Sequence, residues 1–510
     1  MTRMNAILKG AAPGRYRTTL GKLLEGFDVT VPETTVTDLS QDSRTVTRGG
    51  AFIACRGRTT HGLAHVAAAL ERGAAAVLWE PSPDMAAPVV PEGVASVAIA
   101  NLGRRVGEIA DRFFRQPSAD LRVAGFTGTN GKTTCAYLLA QASDLVGRRG
   151  SYLGTLGFGR AGALTDAGLT TPDAVSVHRR LAQARDAGAA TLAMEVSSHA
   201  LDQGRVGGVR FDTAVFTNLT RDHLDYHGTL EAYGAAKTRL FHSPDLRCAV
   251  INVRDSFGQD LAQRLDPSIE RIVFSTASEI WAGRDDGWIR VSEMRAGSGG
   301  VTLQVESRWG AGTLRSRLLG EFNAENLLAV LGVLLGWNVP LQTALVALAA
   351  CDAPPGRMES FGGGTLPLAI VDYAHTPDAL SKVLEAARAH TRGRLFCVFG
   401  CGGDRDPGKR PLMGAIAENH ADVVIVTDDN PRTEASGDIL AQIVAGMAYG
   451  ETVQVIADRA EAIQHAIAEA DPGDVVVIAG KGHEDYQIVG RDVLPFSDRE
   501  TVRRALGEIA

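Results

Sequence analysis

At 510 residues the chain is long enough for about three domains and too long for a single compact core. Apolar residues make up 45% and charged residues 22%, which excludes disorder as the main state. The formal charge of -7, from 52 Lys plus Arg against 59 Asp plus Glu, excludes nucleic acid or an anionic membrane as the main partner, so any phosphate must be bound locally.

In chain order, short β-type runs at Ala51 to Ala54 and Ala74 to Trp79, with an Ala-rich helical pattern from Gly62 to Arg72, predict a small α/β unit over residues 1–117. Gln-Pro-Ser within Phe114 to Asp120 marks a linker, because proline stops the preceding helix. From there to residue 352, strands at Leu121 to Phe126, Thr191 to Val196, Thr213 to Thr217 and Cys248 to Asn252 alternate with helical patterns, as in a parallel sheet covered by helices. An antiparallel hairpin is predicted around Gly297 to Gly300. The run Leu327 to Trp337 is eleven residues, short of the roughly twenty that span a bilayer, and predicts a buried helix and no membrane insertion. A second linker falls at Cys351-Asp-Ala-Pro-Pro-Gly356, and residues 353–510 repeat short apolar runs at 368–371, 395–399, 423–426, 453–456 and 475–479, the pattern of a doubly wound domain.

Arg3, Lys9 and Arg15 enclose no sustained apolar stretch, so no secretory signal is read. The cysteines Cys55, Cys135, Cys248, Cys351, Cys397 and Cys401 are scattered and form no C-x-x-C pair. They fit small apolar fillers in a reducing compartment, the cytoplasm.

The sharpest motif is Gly125-Phe-Thr-Gly-Thr-Asn-Gly-Lys-Thr-Thr134, between a strand and a helix. Backbone N–H groups of Gly128, Thr129, Asn130, Gly131 and Thr134 can surround a phosphate, with Lys132 neutralising its charge and Thr133 reaching a magnesium ion. The strict P-loop pattern puts glycine where Phe126 stands, so this is a variant loop. Glu195, ending an apolar strand, is the candidate metal-holding acid. His223 and His227 have the spacing of two ligands on one helix face, but Leu224 follows where a zinc protease has Glu, which sets a zinc hydrolase aside. Four polar clusters, 371–377, 400–406, 427–432 and 479–484, begin where apolar strands stop and predict one crevice for a zwitterionic ligand.

Together, Gly128-Thr-Asn-Gly-Lys-Thr-Thr134, Met194-Glu-Val-Ser-Ser-His199, Arg221-Asp-His-Leu-Asp-Tyr-His-Gly228, Asp372-Tyr-Ala-His-Thr-Pro377 and Asp429-Asn-Pro-Arg432 resemble the Mur ligases of bacterial cell-wall synthesis, over nearly the whole chain. The resemblance implies a three-domain α/β protein with an amino-terminal UDP-binding domain (1–117), a central P-loop ATPase domain (118–352) and a carboxy-terminal Rossmann-like domain for the amino acid (353–510). It implies a monomeric ligase that uses ATP and magnesium to add meso-diaminopimelate to UDP-N-acetylmuramoyl-L-alanyl-D-glutamate through an acyl phosphate. Ser43, within Asp42-Ser-Arg44, would hold the uridine nucleotide, and Thr170, Thr171, Ser197, Gln203 and Arg205 the muramoyl dipeptide. Glu195 and His223 would bind magnesium, and Lys237 would carry the family's carbamate. Asn326, Arg357 and Asp372 would meet the nucleotide; Arg405, Asp429, Asn430, Pro431, Arg432, Gly480 and Glu484 would form the diaminopimelate pocket. Some members have Asn before the Thr-Thr pair, where this chain has Leu169. The alternatives are a ligase that adds L-lysine, a folylpolyglutamate synthase-like ligase, and a nucleotide switch that ligates nothing. Asp42-Ser-Arg44 and the Asp429 to Arg432 motif speak against the second, and the missing Asn-Lys-x-Asp against the last.

Overall fold

The computed structural model describes residues 16–57, 60–277, 286–297, 299–450 and 453–509; the expectation for the first fifteen residues lies outside them. The chain forms two compact units.

One unit holds residues 16–274, with 286–287 and 332–338. It opens with a parallel four-stranded sheet in the order Leu39–Ser40, Ala51–Ala54, Ala76–Trp79, Ala95–Ala98. The helix expected from Gly62 is a 3-10 turn, Gly62–His65, running into the α-helix Val66–Glu71. After the helix Leu102–Phe113 the chain reverses at Arg115 and Gln116, both at positive φ, and makes the 3-10 turn Pro117–Asp120. Arg179 on the helix Ala174–Asp186 ties this region down by an ion pair to Asp38 at 2.8 Å and a hydrogen bond to Leu39 O at 2.7 Å.

The same unit then builds a larger sheet whose parallel strands lie in the order Gly150–Gly154, Thr191–Glu195, Arg122–Thr127, Thr213–Phe216, Cys248–Asn252, Glu270–Ser275. These strands are buried almost throughout, which explains their unbroken apolar runs. Parallel pairing brings Thr127, Glu195, Phe216 and Asn252 to one edge, so the polar residues that follow gather there. The short strands Gly157–Arg160 and Ala163–Thr165 extend the other end antiparallel, and the sequence did not announce them: Gly157 and Gly159, both at positive φ, leave no apolar alternation to read. The helix Phe322–Gly336 is buried from residue 327 to 337, as its apolar run requires.

The other unit contains the expected hairpin, Gly287–Gly297 against Gly300–Ser307, plus a third strand, Gly310–Ser316, on which the helix Leu341–Ala349 packs. Its second sheet runs Glu359–Gly362, Leu368–Asp372, Val475–Ala479, Leu395–Phe399, Val423–Val426, Gln454–Val455, all parallel except the first. Alternate strand residues face opposite layers. Ile370, Cys397, Val426 and Val477 pack under the helices Pro377–Arg388, Lys409–His420 and Ser436–Val444, whereas Val371, Val398, Ile425 and Val476 pack under Arg459–Glu469 and Asp498–Ala505. This is the doubly wound arrangement the five apolar runs predicted.

Between the last two helices lies a fully buried ion pair, Arg459 Nε to Asp498 Oδ1 at 2.7 Å and Nη2 to Oδ2 at 2.8 Å. Arg459 also donates to the carbonyls of Asp428 and Ala479 at two strand ends. Arg459→Leu leaves Asp498 buried without a partner and should cost about 3–5 kcal/mol in urea unfolding, while Arg459→Leu with Asp498→Leu should cost clearly less.

Candidate active site

The strand Arg122–Thr127 enters the helix Lys132–Leu145 through a loop with two glycines at positive φ. At Gly128, φ 150°, a Cβ would stand 1.9 Å from Thr217 Oγ1. Gly131, φ 86°, is the N-cap. Phe126 is a fully buried strand residue, so the turn needs no glycine there, and the variant spacing is explained. The amides of Thr129 and Asn130 donate to Asn218 O and Oδ1, each at 2.9 Å, so the end of the neighbouring strand braces the loop. Thr217 Oγ1 adds a bond to Asn130 O at 2.6 Å. Lys132 and the first-turn amides of the helix, whose first intrahelical bond is made by Cys135 N to Gly131 O, are the donors here that could meet a phosphate.

Two lysine amines converge on Gly128 O, Lys132 Nζ at 2.9 Å and Lys237 Nζ at 2.7 Å. Lys237 lies on the helix Leu230–Thr238, fully buried, 4.1 Å over the ring of Tyr233. Burial, then the charge of Lys132, push its pKa down to about 6.

Glu195 is the other centre. Its Oε2 accepts from Thr133 Oγ1 at 2.8 Å and from Thr155 Oγ1 at 3.3 Å; its Oε1 accepts from Tyr152 OH at 2.5 Å and Thr155 N at 2.8 Å. The sequence showed the acid but not Tyr152 and Thr155, since neither lies in a recognisable motif. His223 departs from expectation. It has φ 52° and precedes the helix Leu224–His227 rather than sharing its face with His227. Both rings instead flank His199, with centroids at 4.9 and 5.5 Å. Among the described residues no group of three His, Cys, Asp or Glu side chains could hold a metal.

The residues expected at the dipeptide lie close together but are differently engaged. Thr171 is buried, its hydroxyl spanning Glu195 O at 2.8 Å and Ser197 N at 3.1 Å, so its side chain is a brace. Thr170 Oγ1 meets Thr155 Oγ1 at 2.9 Å, and Ser197 caps the helix Ser198–Asp202. Arg205 donates to Thr171 O at 2.9 Å and holds Gln203 Oε1 at 2.6 Å. Leu169 is exposed. Ser43 is buried at the start of the turn Ser43–Thr45, capped by Asp42, which pairs with Arg44 at 2.7 Å.

In the other unit Asp372 accepts from Met358 N and Ala374 N, each at 2.8 Å, and burial raises its pKa. Arg357 stacks 4.7 Å over Tyr373, with Nε buried and unpaired among the described residues. Asn326 Nδ2 donates to Asn323 Oδ1 at 2.8 Å. Asp429, Asn430, Pro431, Gly480 and Glu484 collect past the ends of Val423–Val426 and Val475–Ala479, the strands on either side of Leu395–Phe399; Gly480, φ 121°, leaves room for Asp429 Oδ2, which would stand 2.6 Å from a Cβ. Arg432 donates to Gly403 O at 2.8 Å, and Arg405 is exposed.

Family profiles match three stretches: the Mur ligase family catalytic domain at 35–114, the Mur ligase middle domain at 126–334 and the Mur ligase glutamate ligase domain at 356–482. A UDP-N-acetylmuramoyl-L-alanyl-D-glutamate--2,6-diaminopimelate ligase of Ectopseudomonas mendocina is 51% identical over 471 residues, 92% of this chain and 95% of its own. The chain belongs to the Mur ligase family. A ligase of the same name from Chromobacterium violaceum is 49% identical over 468 residues, 91% of this chain and 93% of its own. A solved structure bearing that name superposes with TM-score 0.71 at 36% identity, covering 96% of this Mur ligase and 99% of that chain.

Lys132 carries a charge that the loop's amides do not duplicate. In a Lys132→Ala Mur ligase, phosphate release should fall below about one thousandth of wild type while the circular dichroism spectrum is unchanged. Near-normal turnover would remove the loop from the chemistry.

Proposed function

We propose that this Mur ligase joins meso-2,6-diaminopimelate to UDP-N-acetylmuramoyl-L-alanyl-D-glutamate, cleaving ATP to ADP and phosphate. The observation that carries this is the 51% identity, over 92% of the chain, to a ligase of that name. The free thiols of all six cysteines suit the reducing cytoplasm, and no helix among the described residues is long and apolar enough to cross a membrane.

A carboxylate does not acylate an amine directly, because oxide would have to leave. A dipeptide carboxylate oxygen attacks the γ-phosphorus, ADP departs, and an acyl phosphate forms. The amine nitrogen then bonds to the acyl carbon, the carbon–oxygen bond to phosphate breaks, and a proton leaves the nitrogen. Lys132 and the helix amides are suited to hold the transferring phosphoryl group. Thr133 and Glu195 offer hard oxygen donors 2.8 Å apart, the ligand type that suits magnesium. They would hold that ion, with the His223 and modified Lys237 that the family implies as further candidates, and it would neutralise phosphate charge.

A carbamate at Lys237 is supported by its amine, which is neutral above about pH 6 and so able to attack carbon dioxide. The nitrogen bonds to the carbon as one carbon–oxygen π bond opens, a proton leaves the nitrogen for solvent, and an anion replaces the neutral amine at Gly128 O. Lys237→Ala should be inactive and regain part of its activity with added small carboxylates. Wild-type protein in labelled bicarbonate should carry the label at Lys237 by nuclear magnetic resonance.

Selection of diaminopimelate over L-lysine needs a partner for the extra carboxylate. The planar guanidinium of Arg432 suits it, and an unpaired, partly buried charge costs about 1–3 kcal/mol. In a phosphate-release assay across amino acids, diaminopimelate should exceed L-lysine at least about tenfold in kcat/KM, and Arg432→Ala should lose most of that preference. Equal use of L-lysine by the wild type would overturn the substrate assignment.

A further inference from the structure

Lys481 is a residue to which neither the motifs nor the chemistry above gives a task. It is fully buried; burial lowers its pKa, and the carboxylates of Asp429 and Glu484 oppose that fall. Its Nζ donates to Asn430 Oδ1 and Tyr486 O, each at 2.8 Å, and lies 3.5 Å from Glu484 Oε2. A lysine has three donors, and these contacts account for all of them.

The consequences spread to both sides of the crevice. Asn430 Oδ1 also accepts from Ile488 N at 2.9 Å, so the amide is held with Nδ2 toward Glu484 Oε2, at 3.2 Å. Glu484 is therefore fastened through one oxygen, and Oε1 has no hydrogen bond among the described residues. The hairpin formed by Tyr486–Val489 and Asp492–Pro495 is tied to Lys481 through Tyr486 O, and to the other side of the crevice by Arg432 N to Ile488 O at 3.0 Å and Gly490 N to Arg432 O at 2.7 Å. The groups expected to meet an ammonium and a carboxylate are thus joined through one buried cation.

Charge points the same way. Glu484 is faced by Asp429, Lys481, Arg459, Tyr373 and Tyr486. Burial and Asp429 raise its pKa, and Lys481 and the Asn430 amide oppose that rise. Arg459 is already matched by Asp498, so Lys481 is the cation shared by the two crevice carboxylates, Asp429 and Glu484. With Lys481, Arg432, Asp429 and Glu484 all ionised the set is neutral, which suits a ligand end that carries both an ammonium and a carboxylate.

Taking this crevice as the diaminopimelate site, we propose that Lys481 is a positioning residue for amino-acid recognition, holding Glu484 and Asn430 in the geometry and ionisation that receive the substrate ammonium. It acts through Glu484 and does not touch the reacting atoms.

The test is steady-state kinetics with each of the three substrates varied. In Lys481→Met, KM for diaminopimelate should rise about tenfold or more, with kcat and the KM values for ATP and the UDP-dipeptide within about twofold of wild type. The acid limb of kcat/KM for diaminopimelate should move to higher pH, because Glu484 loses the cation that keeps it ionised. Glu484→Gln alone should abolish that limb, and Lys481→Met added to it should raise KM by less than about twofold, the signature of two residues acting as one. The double variant removes both charges together, so it reports even if Lys481→Met alone does not fold. An unchanged KM for diaminopimelate, an equal rise in all three KM values, or additive effects in the double variant would overturn the role of Lys481. A wild type that does not ligate diaminopimelate would overturn the substrate assignment instead, and the two failures are read from different proteins.

Discussion

Two lysine amines, Lys132 Nζ and the buried Lys237 Nζ, share the carbonyl oxygen of Gly128, and a second positive charge there is costly, which is why burial and Lys132 push the Lys237 pKa down to about 6. Lys132 and Lys237 approach the same acceptor from opposite ends of the sequence motif pattern, and burial denies Lys237 the water that would screen its charge. Loss of the Lys237 ammonium proton relieves the conflict, and the carbamate proposed for Lys237 would go further by placing an anion beside Lys132. Seen this way, the buried lysine, the braced loop and the fixed carboxylate of Glu195 are parts of one electrostatic problem.

Glu195 shows how the sheet solves the geometric half of it. The strand Thr191–Glu195 lies between Gly150–Gly154 and Arg122–Thr127, so its last residue emerges between Tyr152 on one side and Thr133 on the other. Four donors on two oxygens leave the side chain little rotational freedom. A carboxylate immobilised before substrate arrives spends no entropy at the moment of reaction, which is the main benefit a rigid scaffold offers a phosphoryl-transfer site.

Much of this was legible in the sequence because it rests on local rules. The parallel strands read as unbroken apolar runs, the loop glycines as the turn between strand and helix, and Glu195 as a polar residue where an apolar strand ends. What could not be read rests on pairings between distant residues. Asn218 sits in a motif rich in showier side chains, yet it takes the two loop amides that seemed destined for phosphate. Thr171 looks like a substrate contact beside Thr170, but its hydroxyl is consumed by a backbone bridge. His223 and His227 have helical spacing, and only the positive φ of His223 shows that the helix has not yet begun. Lys481 is one residue of a glycine-rich turn until its three acceptors, two from the segment just after it and one from Asn430, are seen together.

The order of strands in the carboxy-terminal sheet bears on how the chain is made. Val475–Ala479 lies between Leu368–Asp372 and Leu395–Phe399, so the middle strand is the last of the sheet to be synthesised. On the ribosome its two neighbours emerge first, each with an unpaired apolar edge and nothing yet to join them. Pairing at the centre waits until Val475–Ala479 has been made, and the helix bearing Asp498 comes later still. Nascent chains released early therefore expose two strand edges that a finished molecule hides, which is the kind of surface chaperones hold and proteases cut. The topology makes completeness of translation visible to the cell's quality control at a single strand.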